Sequence, residues 1–165
     1  MGVVVIDRRD DGIARVVINR PNKRNALNDE VRHALIAELP VLLSDETVHA
    51  LVLTGEGGHF CSGGDIASMD GLDSRGARAR MKDNHTIVRL LAESEKPVVT
   101  AVEGYAVGAG AGLAMLGDTA VIADSGTIGF PFFRVGLIPD YGILHPLPRR
   151  VGGAKARQVL LYAQM

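Results

Sequence analysis

The stretch that decides the fold is residues 97–118, PVVTAVEGYAVGAGAGLAMLGD. Its first part, Pro97 to Val102, is an apolar run with the length of a buried strand. A glycine cluster, GYAVGAGAG, comes next, and Leu113 to Leu116 has helical character. Thr119 to Ala123 is another short apolar run that indicates a strand. The segment therefore predicts a strand, a glycine-rich loop, a helix and a second strand in succession.

The same order of elements precedes this stretch. Ala50 to Thr54 predicts a buried strand, the glycine-rich GEGGHFCSGGD follows it, and Ala77 to Glu93 predicts a mostly polar helix. Such alternation implies an α/β fold with parallel strands and right-handed crossovers. Because no low-complexity linker or interior boundary interrupts residues 1–165, we expect a single domain.

The N-terminal part has its own local signals. Val3 to Asp7 and Ile13 to Asn19 flank an Asp-Asp-Gly turn and predict a β-hairpin. Asn28 is placed to cap a following helix that carries an apolar stripe. Pro40 lies inside that stripe, and we expect it to end or kink the helix near Glu38.

Composition excludes several classes of protein. The chain is 47% hydrophobic and 22% charged, as globular proteins are, and its 18 Lys and Arg against 19 Asp and Glu favour neither nucleic acid nor a membrane as partner. No apolar run has the length of a membrane span. One cysteine, Cys61, leaves no intrachain disulfide, and without a secretory signal pattern the expected location is cytoplasmic. The five histidines lack metal-ligand spacing, so we expect no metal.

The two glycine loops can aim backbone N–H groups at one ligand atom, or they can simply permit tight turns and close packing. A dinucleotide-binding loop is excluded because Leu113 stands where the fingerprint needs Gly or Ala, and because an extra turn, GYAV, separates the strand from the glycines. A serine hydrolase is disfavoured because no G-x-S-x-G elbow exists and Ser62 has no readable His/Asp partner. Cys61 is more typical of a small buried residue than of a nucleophile.

Four blocks carry a family resemblance: INRPNKRNALN (18–28), LTGEGGHFCSGGDI (53–66), KPVVTAVEGYAVGAGAGLAMLGD (96–118) and GLIPD (136–140). In order and approximate spacing they resemble the conserved blocks of the enoyl-CoA hydratase/isomerase (crotonase) family, from about Ile13 to the end of the chain. The resemblance implies a spiral of stacked short parallel sheets with helices outside. It also implies an acyl-CoA thioester as substrate, with no further cofactor.

The resemblance also implies roles for individual residues. The backbone N–H groups of Gly64 and Ala109 would stabilise the oxygen of an enolate, and Asp140 would be the catalytic acid/base, as in isomerase-type members. The two glutamates of the family's hydratases align with Gly112 and Phe132, neither of which can move a proton. Asp140 can also be read as a helix N-cap.

The residues next to Asp140 in the sequence bear on its expected role as acid/base. Its apolar neighbours should raise its pKa if it is buried, and Tyr141 or His145 is a candidate to orient it.

Lys23 or Arg24 would lie near the phosphates or adenine of CoA, or else in a solvated turn. The full set of residues that we expect to bind CoA or substrate is Lys23, Arg24, Ala26, Ser62, Gly63, Asp65, Ile66, Gly108, Phe132 and Tyr141.

We therefore expect an enzyme that shifts a double bond of an enoyl-CoA. Hydration by another acid/base arrangement and acyl-CoA binding without catalysis remain open as alternatives. Family members continue past the position of Met165 into helices that cover the acyl pocket and build trimers, often paired as hexamers. The chain thus resembles a truncated N-terminal core with exposed apolar surface.

Overall fold

The computed structural model describes residues 2–165 as alternating strands and helices. The strands are β1 Val4–Arg8, β2 Ile13–Ile18, β3 Ala50–Gly55, β4 Val98–Val102, β5 Tyr105–Val107, β6 Thr119–Ile122 and β7 Thr127–Gly129. The helices are α1 Asp29–Ser44, α2 Ser74–Ala92, α3 Ala109–Leu116, α4 Pro146–Val151 and α5 Gly153–Leu161. Short 3₁₀ turns lie at Pro21–Lys23, Ile66–Met69 and Phe132–Val135.

Two sheets organise the strands. The larger has the order β1-β2-β3-β4-β6, in which β1 and β2 are antiparallel and the remaining pairs are parallel. The smaller pairs β5 with β7 in parallel. The expected hairpin is confirmed, as is the expected pairing of the strands at 51–54 and 98–102, where Leu51 lies opposite Val98. The chain therefore has the expected α/β architecture of short, mostly parallel sheets.

The glycine cluster differs from the prediction in two ways. Tyr105–Val107, which we expected to be an extra turn, is strand β5, because the backbone of Ala106 bridges to Cys61 and that of Tyr105 pairs with Thr127. Helix α3 also begins at Ala109, four residues earlier than Leu113. This helix contains glycine because it packs very closely against the backbone of Cys61. A Cβ on Gly110 would lie 2.2 Å from the carbonyl oxygen of Cys61.

Helix α1 begins as predicted and continues further than predicted. The side chain of Asn28 accepts a hydrogen bond from the backbone N–H of Val31 at 3.0 Å, which is the expected cap. The expectation that the helix ends near Glu38 is wrong, since α1 runs on to Ser44, and the alternative, a kink at Pro40, stays a prediction. Pro40 itself is exposed, whereas Leu39 and Leu42 on either side of it are buried against the sheet. Burial of these leucines outweighs the lost backbone hydrogen bond.

The main core lies between the large sheet and helices α1, α2 and α3. A second, smaller core forms where Phe130 and Phe132 meet Ile143 and Leu147, next to α4 and α5. Exposed apolar side chains are concentrated in the last thirty residues, and Ile138 is 76% exposed. Within residues 2–165, no helix is long and apolar enough to cross a membrane. No cluster of His, Cys, Asp and Glu in that range is arranged to hold a metal ion.

Candidate active site

One cavity of about 100 Å³ lies where the loops after β3 and β5 meet the turn around residue 140. It brings together most of the residues that the sequence singled out. These are Ser62, Gly63, Gly64, Ile66, Gly108, Ala109, Phe132, Asp140 and Tyr141. Lys23, Arg24, Ala26 and Asp65 do not line it.

Two backbone donors are left unpaired at this cavity. The loop at Gly64 runs beside Leu27, whose N–H donates to the Gly63 carbonyl and whose carbonyl accepts from the Asp65 N–H. This pairing uses the groups on either side of Gly64 and leaves its own N–H unpaired within residues 2–165. Ala109 is the first residue of α3, so its N–H has no acceptor in the preceding turn.

Glycine holds these two loops against each other. Gly63 has φ +99°, a left-handed conformation that favours glycine, and a Cβ there would lie 2.7 Å from the Val107 carbonyl oxygen. The same Cβ position is 3.6 Å from the backbone nitrogen of Ala109. The loop that carries Gly64 and the N-terminus of α3 are therefore in direct contact at one wall of the cavity.

Asp140 supplies a carboxyl group to the same cavity. Its Oδ1 is buried and has no hydrogen-bond partner among residues 2–165, and its Oδ2 accepts a long hydrogen bond, 3.4 Å, from Nδ2 of Asn84. Burial raises the pKa of Asp140 to about 6, although the nearby Arg80 and His85 act to lower it. The reading of Asp140 as a helix N-cap is wrong, because the next helix, α4, begins only at Pro146.

Asn84 is a site residue that sequence reasoning missed. It is 2% exposed on the inner face of α2, and its Oδ1 accepts a 3.0 Å hydrogen bond from the hydroxyl of Tyr141. Burial raises the pKa of Tyr141, so this hydroxyl stays protonated and donates. Tyr141, one of the two expected orienting residues, thus acts on Asp140 through Asn84. The other, His145, instead contacts the Arg149 guanidinium at 3.2 Å.

A sequence signal for Asn84 did exist. Positions 84, 87 and 91 form one helical face, and Ile87 and Leu91 on that face are buried. A polar residue in register with buried apolar ones is a candidate for a specific buried contact.

Sequence reasoning also missed two arginines that line the cavity. Arg32 on α1 is fully buried at the cavity wall, where its guanidinium donates to the Leu27 carbonyl and to Asp29. Arg80 on α2 lines the cavity and donates to the Ser68 hydroxyl at 3.0 Å.

Gly112 and Phe132 occupy the positions where the resemblance would place two glutamates. A Cβ on Gly112 would lie 2.4 Å from the Cβ of Tyr141, so the fold leaves no room for a side chain there. Phe132 lines the cavity with an aromatic ring and is 5% exposed. Among the cavity's side chains, the carboxyl of Asp140 is the one positioned to exchange a proton near neutral pH.

The segment that carries Lys23 and Arg24 lies beside the loop after β3. The backbone carbonyl of Arg24 accepts from the N–H of Ser62 at 2.9 Å, and the Ser62 hydroxyl donates to the carbonyl of Lys23 at 3.3 Å. Both basic side chains are exposed, and the Arg24 guanidinium lies 5.6 Å from the ring centre of Tyr105. Contact of either residue with CoA stays a prediction.

Ala26 and Asp65, also expected near CoA, have structural contacts. The carbonyl of Ala26 accepts from the guanidinium of Arg20 at 2.6 Å, and the same group pairs with Asp65 at 3.1 Å. This pair ties the segment after β2 to the loop after β3 and so helps to position Gly64.

The residues considered for hydrolase chemistry are unsuited to it. Cys61 is fully buried, and burial raises the pKa of its thiol to about 12, so it stays protonated. The imidazole of His59 stacks on Tyr105, with 4.9 Å between ring centres, and its Nδ1 accepts from the Tyr105 N–H. It is therefore not paired with the Ser62 hydroxyl.

Comparison with known proteins shows which family the chain matches. The model of the enoyl-CoA hydratase/isomerase family matches residues 8–165. The chain is 37% identical to a 1,2-epoxyphenylacetyl-CoA isomerase of Escherichia coli and 35% identical to a crotonyl-CoA hydratase of Syntrophomonas wolfei, over 95% and 98% of its length. It spans 62% of the length of each. A crystal structure of an enoyl-CoA hydratase/isomerase from Mycobacterium paratuberculosis superposes with a TM-score of 0.92 at 30% identity, covering 99% of this chain and 66% of that one.

Proposed function

The chain belongs to the enoyl-CoA hydratase/isomerase family, and on this premise we propose that it shifts a double bond of an enoyl-CoA through an enolate. One observation carries the proposal. A partly buried carboxyl group, that of Asp140, shares a small cavity with the unpaired backbone N–H groups of Gly64 and Ala109. A base and two hydrogen-bond donors in one cavity are the parts that enolate chemistry needs.

In the proposed reaction, the N–H groups of Gly64 and Ala109 bind the thioester oxygen. Removal of a proton from the carbon next to the carbonyl transfers negative charge to that oxygen. Two preorganised donors at this oxygen would stabilise the charge by about 3 kcal/mol each. The barrier to forming the dienolate falls accordingly.

Asp140 moves the proton. It takes the proton from one carbon of the allylic system and returns it two carbons away, so the double bond migrates and no second acid is needed. With a pKa of about 6, the carboxyl is mostly ionised at pH 7 and still basic enough to accept a proton in the transition state. Tyr141 and Asn84 keep the carboxylate directed into the cavity.

Hydration is the second candidate, and the similarity to a crotonyl-CoA hydratase favours it. Water addition requires one group to activate water and a proton for the α-carbon. The cavity offers Asp140 alone, since Gly112 and Phe132 stand at the positions aligned with the glutamates of the family's hydratases. Isomerisation therefore fits the residues better than hydration does.

The test is an assay of the purified protein with 3-enoyl-CoA and 2-enoyl-CoA thioesters. We expect the first to be converted to the conjugated 2-enoyl-CoA, seen by its absorbance, and Asp140→Asn to lower this rate by about 10²- to 10⁴-fold while CoA-thioester affinity is kept. A 3-hydroxyacyl-CoA product would select hydration instead. Tight binding with no turnover of either thioester would select a non-catalytic binder.

A further inference from the structure

A second charged side chain, that of Arg80, lies at the cavity beside Gly64. A Cβ on Gly64 would lie 2.9 Å from Nη2 of Arg80 and 2.6 Å from Cε of Met69. The guanidinium therefore occupies space that is open because residue 64 has no side chain. Its Nη1 also donates to the Ser68 hydroxyl at 3.0 Å.

From this placement we infer that Arg80 supports the proposed reaction electrostatically: its positive charge stabilises the enolate oxygen held at Gly64 and Ala109. The inference rests on the proposed function. The guanidinium of Arg80 lies beside Gly64, and in the proposed reaction negative charge develops on the oxygen that Gly64 binds.

The direction of charge movement makes this contribution selective for the transition state. Before reaction the negative charge resides on Asp140, with which Arg80 forms no ion pair within 4.0 Å in the described part of the chain. After proton removal the charge resides on the thioester oxygen, beside Gly64. Because Nη2 of Arg80 lies beside Gly64, where the proposal places the thioester oxygen, we expect Arg80 to stabilise the enolate more than it stabilises the resting carboxylate.

Other charged or titratable groups also lie near Asp140, and the electrostatic effect of Arg80 adds to theirs. His85 lies on the same helix as Arg80, and Arg32 reaches the cavity from α1. His145 and Arg149 line a surface pocket on the other side of Asp140. Tyr141 is buried beside it and stays neutral. Arg80 differs from the others because it contacts the loop at Gly64 and also acts on the carboxyl of Asp140.

A purely structural role for Arg80 is the competing explanation, because its hydrogen bond to Ser68 joins α2 to the 3₁₀ turn at Ile66–Met69. The variant Ser68→Ala separates the two explanations. It removes this hydrogen bond and leaves the charge of Arg80 at the cavity.

The experiment compares Arg80→Met, Arg80→Lys and Ser68→Ala, with Arg78→Met as a control for an exposed arginine of the same helix. We expect Arg80→Met to lower kcat by about tenfold or more with a smaller change in KM. Arg80→Lys should recover part of the loss because the charge is kept. Ser68→Ala and Arg78→Met should remain near the wild-type rate.

A second readout needs no turnover. Because Arg80 acts to lower the pKa of Asp140, Arg80→Met should shift the titration of the Asp140 carboxyl to higher pH, observed by carbon-13 NMR, with Arg80→Lys nearer to wild type. Inactive wild-type protein that shows this shift would reject the proposed reaction and keep the electrostatic link. An unchanged titration, or a loss of kcat in Ser68→Ala equal to that in Arg80→Met, would overturn the inference.

Discussion

Replacing Asp140 by Asn should make the protein more stable at neutral pH while removing its proposed activity. Burial favours the protonated form of this carboxyl in the folded state and raises its pKa from an ordinary 3.8 to about 6. The folded state therefore holds a proton more tightly than the unfolded state does. The contribution of this group to the free energy of unfolding is therefore highest below about pH 4, and it falls as pH rises through about 6.

The magnitude can be derived from the same two values. One pKa unit corresponds to about 1.4 kcal/mol, so the difference between 3.8 and about 6 represents a cost of about 3 kcal/mol once the carboxyl is ionised in both states. Asn carries no charge at any pH and avoids this cost. Its amide must still find partners in the cavity, so we expect a net gain of about 1 to 3 kcal/mol at pH 7.

The assay is urea unfolding of the wild type and of Asp140→Asn at several pH values between 4 and about 8, where the expected gain lies. The gain should be present at pH 7 and should vanish near pH 4, where the wild-type carboxyl is protonated. Asp118→Asn serves as the matched control, since Asp118 accepts a hydrogen bond from the N–H of Val98 and lies outside the cavity. A destabilised Asp140→Asn, or a gain that does not depend on pH, would refute the reasoning that ionisation of the Asp140 carboxyl lowers the stability of the folded state.

Further predictions follow from the packing around this carboxyl. Gly112→Glu should destabilise the protein by about 1 to 3 kcal/mol in thermal unfolding and should not confer hydration, because its Cβ would meet Tyr141; Gly153→Glu, in open space, is the control. Asn84→Leu should leave the Tyr141 hydroxyl unpaired, at a cost of about 1 to 3 kcal/mol, and should lower kcat more than it raises KM. Cys61 should resist thiol reagents in the native protein, since burial keeps it protonated, and rapid labelling would contradict its burial.

Local signals in the sequence were enough to predict much of the fold. The hairpin follows from an Asp-Asp-Gly turn between β-branched runs, and the start of α1 follows from Asn28, whose side chain needs only its own helix as partner. The strands β3 and β4 follow from short apolar runs, each of which leads into a glycine-rich loop. In each case the residues that determine the structure are close in sequence.

The errors arise where distant contacts override local preference. Pro40 does not end α1 because Leu39 and Leu42 are buried against the rest of the core. Helix α3 begins within a glycine cluster because Gly110 lies against the backbone of Cys61, a contact across 49 positions of the sequence. Helix propensity alone would not place a helix start there.

In the candidate site, too, local sequence signals identify some residues, and contacts between distant residues determine the others. The glycine loops and Asp140 were identified from four sequence blocks, and the structure places all three at one cavity. Asn84 and Arg80 were not identified, because their importance depends on which face of α2 turns toward the turn at residue 140. The register of Asn84 with Ile87 and Leu91 predicts its burial, but the sequence does not reveal that this face of α2 meets the turn at residue 140.

The absent side chain at Gly112 and the orientation of Asp140 belong to one arrangement. Tyr141 packs over Gly112 with a left-handed φ of +49°, a backbone state that is costly for a residue with a large side chain. That conformation buries its ring and brings its hydroxyl to Asn84, which in turn holds Asp140. A glutamate at position 112 would displace the ring and so release the carboxylate at 140. We therefore expect a glutamate at position 112 and an oriented carboxyl group at position 140 to exclude each other in this chain.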